Sequence, residues 1–412
     1  MQSNISRRFS GILTFLILLS FAFNATLFAQ SKTQKSEKPK GDQKKNERTD
    51  AKKTEEQRKQ EEEEANAEVD KEVLKIKTNI VNVDAVVIDK KTKAIITGLK
   101  KENFAVFENG VKQEISQFST PEAPITVTLV AEYSRWSEIF GYAGSRGQEQ
   151  GTLEVIRPVA YFLSKFIKPP DDYASVIAFD MRPTTITDFT NDPNRLEQTV
   201  NLLLRNTPAF RESNLFDAVK FALVGGKGDA VVLEKSKEKS VEFGGMVDVK
   251  SKRRAIILVA SGIDTFSRTN YDAVRKIIQN SGIPIYVVST GNLFFKMYES
   301  QIPDMDGING SPGRLTFLQA QNAMKTFAKE SGGAVFPITF PGEIPSVLQS
   351  INALLRNQYS IAYDAGEERP SGKKFNLEVK VDVNGDGIYD DKQFEVQHRP
   401  FYTTPKEEGS KK

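Results

Sequence analysis

The alternation of apolar and polar positions is clearest in the stretch Pro124 to Trp136, PITVTLVAEYSRW. Ile125, Val127, Leu129 and Val130, with Thr126 and Thr128 between them, predict a strand buried on both faces of a mostly parallel sheet. The run stops abruptly at Glu132, Tyr133 and Ser134. Beyond it, Leu153, Ile156, Val159, Ala160, Leu163 and Phe166 recur at helical spacing, and Pro169-Pro170 ends that helix. Further strands are predicted over Ser175 to Phe179, Thr184 to Phe189, Ala255 to Val259, Ile283 to Ser289 and Ala334 to Ile338. Helices are predicted from Asp192-Pro193 through Leu203, then over Asn214 to Val224, Tyr271 to Asn280, Leu315 to Lys329 and Ile344 to Leu355. Such alternation argues an α/β fold built on a doubly wound, mostly parallel, Rossmann-like sheet.

The flanks read differently. In residues 73–120, Val81, Val83, Ala85 and Val87 alternate with polar neighbours, and Asn109-Gly110 separates two further alternating runs, a strong hairpin signal. Residues 358–404 carry strand patterns at Gln358 to Tyr363, Phe375 to Asp382 and Lys392 to Gln397. N- and C-terminal β elements are therefore expected to flank an α/β domain over 121–357, which holds a Gly/Lys/Glu-rich insertion at 225–252. A short tail, 405–412, follows.

Residues 30–72 are almost wholly polar and charged, too poor in apolar surface to offset the entropy of ordering, and predict a disordered linker. Ahead of it, Arg7 and Arg8, an apolar stretch from Ile12 to Phe23 and small residues up to Ala29 predict a signal peptide over 1–29, cleaved after Ala29. The other reading of that stretch is an uncleaved anchor, for which the apolar run is short. The mature chain is expected to be secreted or periplasmic, in the cell envelope, with no transmembrane segment.

Composition narrows the chemistry. The formal net charge of +3 is too small to argue for nucleic acid. With no cysteine there is neither a disulfide framework nor a thiolate metal site. With a single histidine, His398, Ser-His and poly-His arrangements are largely excluded, and His398 itself is expected to be structural. Gly225-Gly226-Lys227-Gly228 lacks the ending of a phosphate loop. Tyr298 and Phe294-Phe295 are expected mainly as packing residues near a strand end.

In open α/β sheets ligands bind outside the carboxyl ends of the strands, so the polar residues just past Val130 mark the expected site. The stretches PITVTLVAEYS, VIAFD, ITDFTNDPNRL, SNLFDAV, IILVASGIDT and LLRNQYSIAYD carry a resemblance here, together with NIVNVDAVVIDKKTKAIITGLKKENFAVFENG upstream. In order and spacing the chain resembles a von Willebrand factor type A domain, and more narrowly the secreted VWFA-related family first recognised in acidobacteria. That resemblance implies a cleft where many members hold a divalent cation through Asp-x-Ser-x-Ser, a Thr and a distant Asp. Carried over by position, the first motif falls on Glu132, Ser134 and Trp136, the Thr on Ser213 beside Asn214, and the distant Asp on Ser261. Only Ser134 matches the pattern, Ser213 is a fair substitute, and Asp264 stands three residues past the place of the missing acid. Mg²⁺ demands near-ideal octahedral oxygen geometry, so neither Mg²⁺ nor Mn²⁺ is expected at this cleft.

A second candidate, Asp382, Asn384, Asp386 and Asp390, approaches the opening of a calcium loop but has Gln393 where a bidentate Glu belongs. Between two strands the same letters also make a plain turn, so a Ca²⁺ site and a turn both stay open. The resulting expectation is a non-enzymatic protein-interaction or adhesion module with an unknown protein or envelope partner. Alternatives from other classes are a metal-dependent binder, a calcium-rigidified envelope protein and a carboxylate-dependent hydrolase. The last lacks a second carboxylate placed to pair with Glu132.

Overall fold

The computed structural model describes residues 80–134, 151–205, 212–230, 240–300, 302–307, 312–366, 369–370 and 372–404. The predicted signal peptide, the linker, the tail, Arg135 and Trp136 lie outside the described residues.

The chain first lays down β1 (Ile80–Asp89), β2 (Phe104–Glu108), β3 (Val111–Gln113) and β4 (Ile115–Ser119). It then alternates: β5 (Ile125–Glu132), α1 (Gly151–Phe166), β6 (Tyr173–Phe179), β7 (Pro183–Thr190), α2 (Pro193–Arg205), α3 (Leu215–Val224), β8 (Gly226–Ala230), β9 (Ser240–Phe243), β10 (Arg253–Ala260), α4 (Tyr271–Ser281), β11 (Ile285–Ser289), α5 (Gly291–Tyr298), α6 (Arg314–Ser331), β12 (Val335–Pro337) and α7 (Ile344–Arg356). It closes with β13 (Tyr359–Asp364), β14 (Lys374–Val381), β15 (Phe394–Gln397) and β16 (Phe401–Thr403).

This is a mixed α/β protein whose eight-stranded sheet runs in the order β12-β11-β10-β5-β6-β7-β8-β9. β5 is its centre: all eight of its residues are buried, and it pairs in parallel with β6 on one side and β10 on the other. β11 and β12 continue in parallel, whereas β7 and β9 each run antiparallel to the strand before them. Alternate residues of the central strands enter different apolar clusters. Leu129, Val176 and Ile257 meet Val159 and Leu163 of α1 and Ile351 of α7, while Val130, Ile177 and Leu258 meet Val219 of α3 and Ile277 of α4. Each such side chain contributes ~1.5–3 kcal/mol by leaving water.

The segment read as an insertion supplies the last two strands of this sheet. Its entry depends on two glycines in close approach: a Cβ on Gly225 would lie 2.1 Å from the Phe243 carbonyl oxygen, and one on Gly245 would lie 2.3 Å from Gly225 N.

Strands from the two ends of the chain interleave in two further sheets, β15-β1-β13-β4 and β16-β14-β2-β3. Val83, Val87, Val106, Tyr359, Ile361 and Val379 from both sheets enclose one apolar cluster, forming a sandwich. Asn109 and Gly110, with φ of 48° and 81°, make the tight turn between β2 and β3. The buried Glu108 carboxylate is satisfied by Arg369, the Tyr363 hydroxyl (2.5 Å) and the Tyr402 hydroxyl (2.8 Å). Between sandwich and α/β half, the wholly buried Arg253 donates to the carbonyls of Pro121 and Ala123 on the way in and of Leu355 on the way out. Among the described residues, no helix is long and apolar enough to cross a membrane.

Candidate functional site

The chain leaves β5 towards β6 on one side and later fills β10, β11 and β12 on the other. The strand order therefore reverses between β5 and β10, and in open α/β sheets ligand sites lie outside the carboxyl ends of strands at such a place. Glu132 ends β5 there and is buried. Its Oε1 accepts from the Ser134 hydroxyl at 2.7 Å, and its Oε2 accepts from the Ser261 backbone N–H at 2.6 Å. One carboxylate thus ties the end of the central strand to the first residue after its neighbour.

Burial pushes the Glu132 carboxyl above its ordinary range. The Ser261 N–H and the hydroxyls of Ser134, Ser261 and Ser213 act against that rise. The buried Ser213 Oγ is the weakest of these and makes no well-formed hydrogen bond among the described residues.

Ser213 and Asn214 are brought to the same end of the sheet. Asn214 N donates to the Asp180 carbonyl at 2.8 Å, and its Nδ2 donates to the Met181 carbonyl at 2.9 Å, which anchors the turn after β6. Asp264 does not join Glu132. The Ile263 N–H turns back to Ser261 Oγ at 3.2 Å, and Asp264 Oδ1 accepts from Ser267 Oγ at 2.5 Å and from Phe216 N at 3.3 Å. Asp264 therefore caps the N-terminus of α3. Burial, aided by the like charge of Asp217, raises its pKa to about 6 against those hydrogen bonds. Asp217 reciprocates by accepting from the Arg268 and Thr269 N–H groups at 3.0 and 2.9 Å. Thr265, Ser267 and Asp217 escaped the sequence reading; the signal for the first two was the hydroxyl-rich run SGIDTFSRT directly after a strand, and for Asp217 an acid in the first turn of α3. Trp136 lies outside the described residues.

A divalent ion does not fit this donor set. Of Glu132, Ser134, Ser213 and Ser261, Glu132 alone supplies a carboxylate, and each of its oxygens already accepts a hydrogen bond, while Ser261 turns a backbone N–H, a donor, towards it. Among the described residues, no group of three or more acidic or histidine side chains converges as an ion would require.

The loop between β14 and β15 gathers Asp382, Asn384, Asp386 and Asp390 and spends their oxygens on its own backbone. Asp382 accepts from Gly385 N and Gly387 N (2.7 Å each), Asn384 from Asp386 N (3.0 Å), Asp386 from Ile388 N (2.8 Å) and Asp390 from Val383 N (2.8 Å). Phe294, Phe295 and Tyr298 fall in α5, one turn past β11. Phe295 packs against Phe317, ring centroids 6.0 Å apart, with Arg314 over it; the side chains of Phe294 and Tyr298 lie outside what is described.

In segments that follow β10, β11 and β12, large apolar side chains face solvent. Phe266 follows β10, Met305 lies in the loop before α6, Leu315 and Leu318 share a face of the first turns of α6, and Phe340 follows β12. Met305 is 81% exposed, and its backbone lies against Gly313 at the start of α6.

A scan against models of known protein families finds no match, and a search of curated proteins finds none. Among solved structures, the chain is similar to proximal thread matrix protein 1 from the mussel byssus, at 9% identity and a TM-score of 0.38, covering 61% of this chain and 51% of that one. It is also similar to a von Willebrand factor type A protein from Catenulispora acidiphila, at 9% identity and a TM-score of 0.38, covering 73% and 72%. A third is the vWF domain of the type V pili tip protein Mfa5 from Porphyromonas gingivalis, at 14% identity and a TM-score of 0.35, covering 57% and 95%. The chain spans about half the length of the mussel protein.

Proposed function

We propose that this protein is a secreted or envelope-held interaction module of the von Willebrand factor A type, doubly wound and flanked by its β sandwich. It holds a protein partner at the carboxyl-end rim of the sheet without a metal bridge and catalyses no reaction. The observation that carries the reading is the apolar rim: five of the large exposed hydrophobic side chains, Phe266, Met305, Leu315, Leu318 and Phe340, belong to segments at the carboxyl ends of β10, β11 and β12. Large exposed apolar side chains, Phe and Met among them, are enriched at the centres of protein contact sites, where charged residues form the border. Here Arg314, ion-paired at longer range with Glu299 and Asp304, provides part of that polar border.

Beneath the rim, the Glu132 clasp does the joining that a cation would otherwise perform. The absence of a histidine near this end of the sheet and the engagement of Asp264 with α3 argue against hydrolysis. The Asp382 to Asp390 loop is assigned as a self-capped turn, supported by the backbone donors on its acids. The export signal rests on Arg7, Arg8 and the apolar stretch that follows.

The test is retention of envelope proteins on the immobilised chain, with and without chelator. A partner retained in chelator, kept by Ile388→Asp on the sandwich and weakened at least about tenfold by Met305→Asp with Leu315→Asp, supports the reading. Release by chelator alone, or indifference to the rim substitutions, contradicts it.

A further inference from the structure

The segment from Gln397 to Thr403 runs between the sandwich and the carboxyl-terminal ends of α4 and α6, and it carries the only histidine of the chain. Its centre is Arg399, buried, whose guanidinium donates to the Asn82 carbonyl of β1 and, at 3.2 Å, to the Gln279 carbonyl of α4. Two glycines admit it. Gly282 and Gly332 close α4 and α6 at φ of 64° and 86°. A Cβ on Gly332 would lie 2.6 Å from Arg399 N, and one on Gly282 would lie 3.2 Å from its Nη1. The cation there faces the negative ends of two helices. Gln397 Nε2 donates to the Gly333 carbonyl at 3.0 Å, and Thr403 Oγ1 donates to Gln279 Oε1 at 3.1 Å. The segment is the joint between the two halves of the fold.

His398 has a fixed proton inventory within that joint. Val379 N–H of β14 points at Nε2 at 3.3 Å, so Nε2 must accept; Nδ1 lies 2.7 Å from the Arg399 carbonyl, so Nδ1 must donate. Only the neutral ring with its proton on Nδ1 meets both conditions, because a proton on Nε2 would set N–H against N–H. The charged groups acting on the ring are Glu378 of β14, which favours the cation, and Arg399, which opposes it. Burial is the strongest influence, also opposes the cation, and holds the imidazole below its ordinary range.

We propose that His398 is an acid-sensitive pin: its protonation breaks the bond to Val379 of β14 and loosens the Gln397 to Thr403 joint between sandwich and α/β half. The direction follows from linkage. A histidine that titrates lower in the folded than in the unfolded chain contributes stability that is whole above the ordinary value near 6.5 and is lost as pH falls from there through the lower, folded value.

The test is amide hydrogen exchange of the full chain at pH 7.5 and 5.0, corrected for intrinsic rates. The amides to follow are Val379 and Leu377, the latter donating to the Pro400 carbonyl at 2.9 Å. Wild type should lose protection there by about tenfold at pH 5.0, while His398→Gln, whose side-chain oxygen can accept at the Nε2 position without becoming charged, should not. Unchanged protection in wild type, or equal loss in the variant, overturns the proposal. If the variant fails to fold, the wild-type Val379 amide shift decides: movement along the imidazole titration curve supports the pin, and a flat response overturns it.

Discussion

At Glu132 burial and hydrogen bonding pull the carboxyl in opposite directions, and burial wins. A carboxyl raised in the folded state contributes stability that is present at low pH and is lost as pH rises through the folded value. Glu132→Gln should therefore gain stability relative to wild type as pH rises from 5 to 8. The amide can still accept from Ser261 N–H and donate to Ser134 Oγ, so its loss at pH 5 should be small. Glu132→Ala strands the Ser261 N–H and leaves a cavity, and should cost about 2–4 kcal/mol in urea unfolding. Equal losses in the two variants would contradict the clasp. The resemblance set Glu132, Ser134 and Ser261 at one end of the sheet, but not the hydrogen bonds that join them. What could not be read was the direction of Asp264, because the turn at Gly262 and Ile263 is set by contact with α6, where a Cβ on Gly262 would lie 2.9 Å from the Ala320 carbonyl.

Among elements, the pairing of loop 264–269 with the first turn of α3 is reciprocal: Asp264 and Ser267 accept from the helix, and Asp217 of the helix accepts from the loop. Ionising Asp264 is costly, first because it is buried and then because Asp217 is near, so its pKa of about 6 lies above the ordinary 3.8. The latch is thus tighter below pH 4 and relaxes as pH rises through 6. Asp264→Asn keeps the accepting oxygen and removes the charge, so it should match wild type at pH 4 and exceed it at pH 8 by at most about 3 kcal/mol, measured by thermal unfolding. A loss at pH 8 would contradict this account. The long helices and buried strands were legible because their periodicity is strong. β8, with the sequence GKGDA, was not: glycine, lysine and aspartate are poor strand formers, and the strand exists because β7 and β9 pair with it. α5 follows β11 with only Thr290 between them, so the two elements adjoin without a loop.

For the whole molecule, β1 lies between β13 and β15, so the sandwich is built from both ends of the chain. The partners of β1 are some of the most distant in the chain, and pairing at that distance leaves no local mark in sequence, whereas the Asn109-Gly110 turn does. Arg253 and Arg399 fasten the halves at separate points, so the apolar rim at the opposite end of β5 and β10 is presented on a braced support. On the function proposed above, the Glu132 clasp at the carboxyl ends of β5 and β10 takes the place of an ion. Isothermal titration of Mn²⁺ and Mg²⁺ into the purified chain tests it most directly: no saturable heat is predicted up to millimolar ion, in wild type or in Ser134→Ala. Saturable micromolar binding that Ser134→Ala abolishes would contradict it.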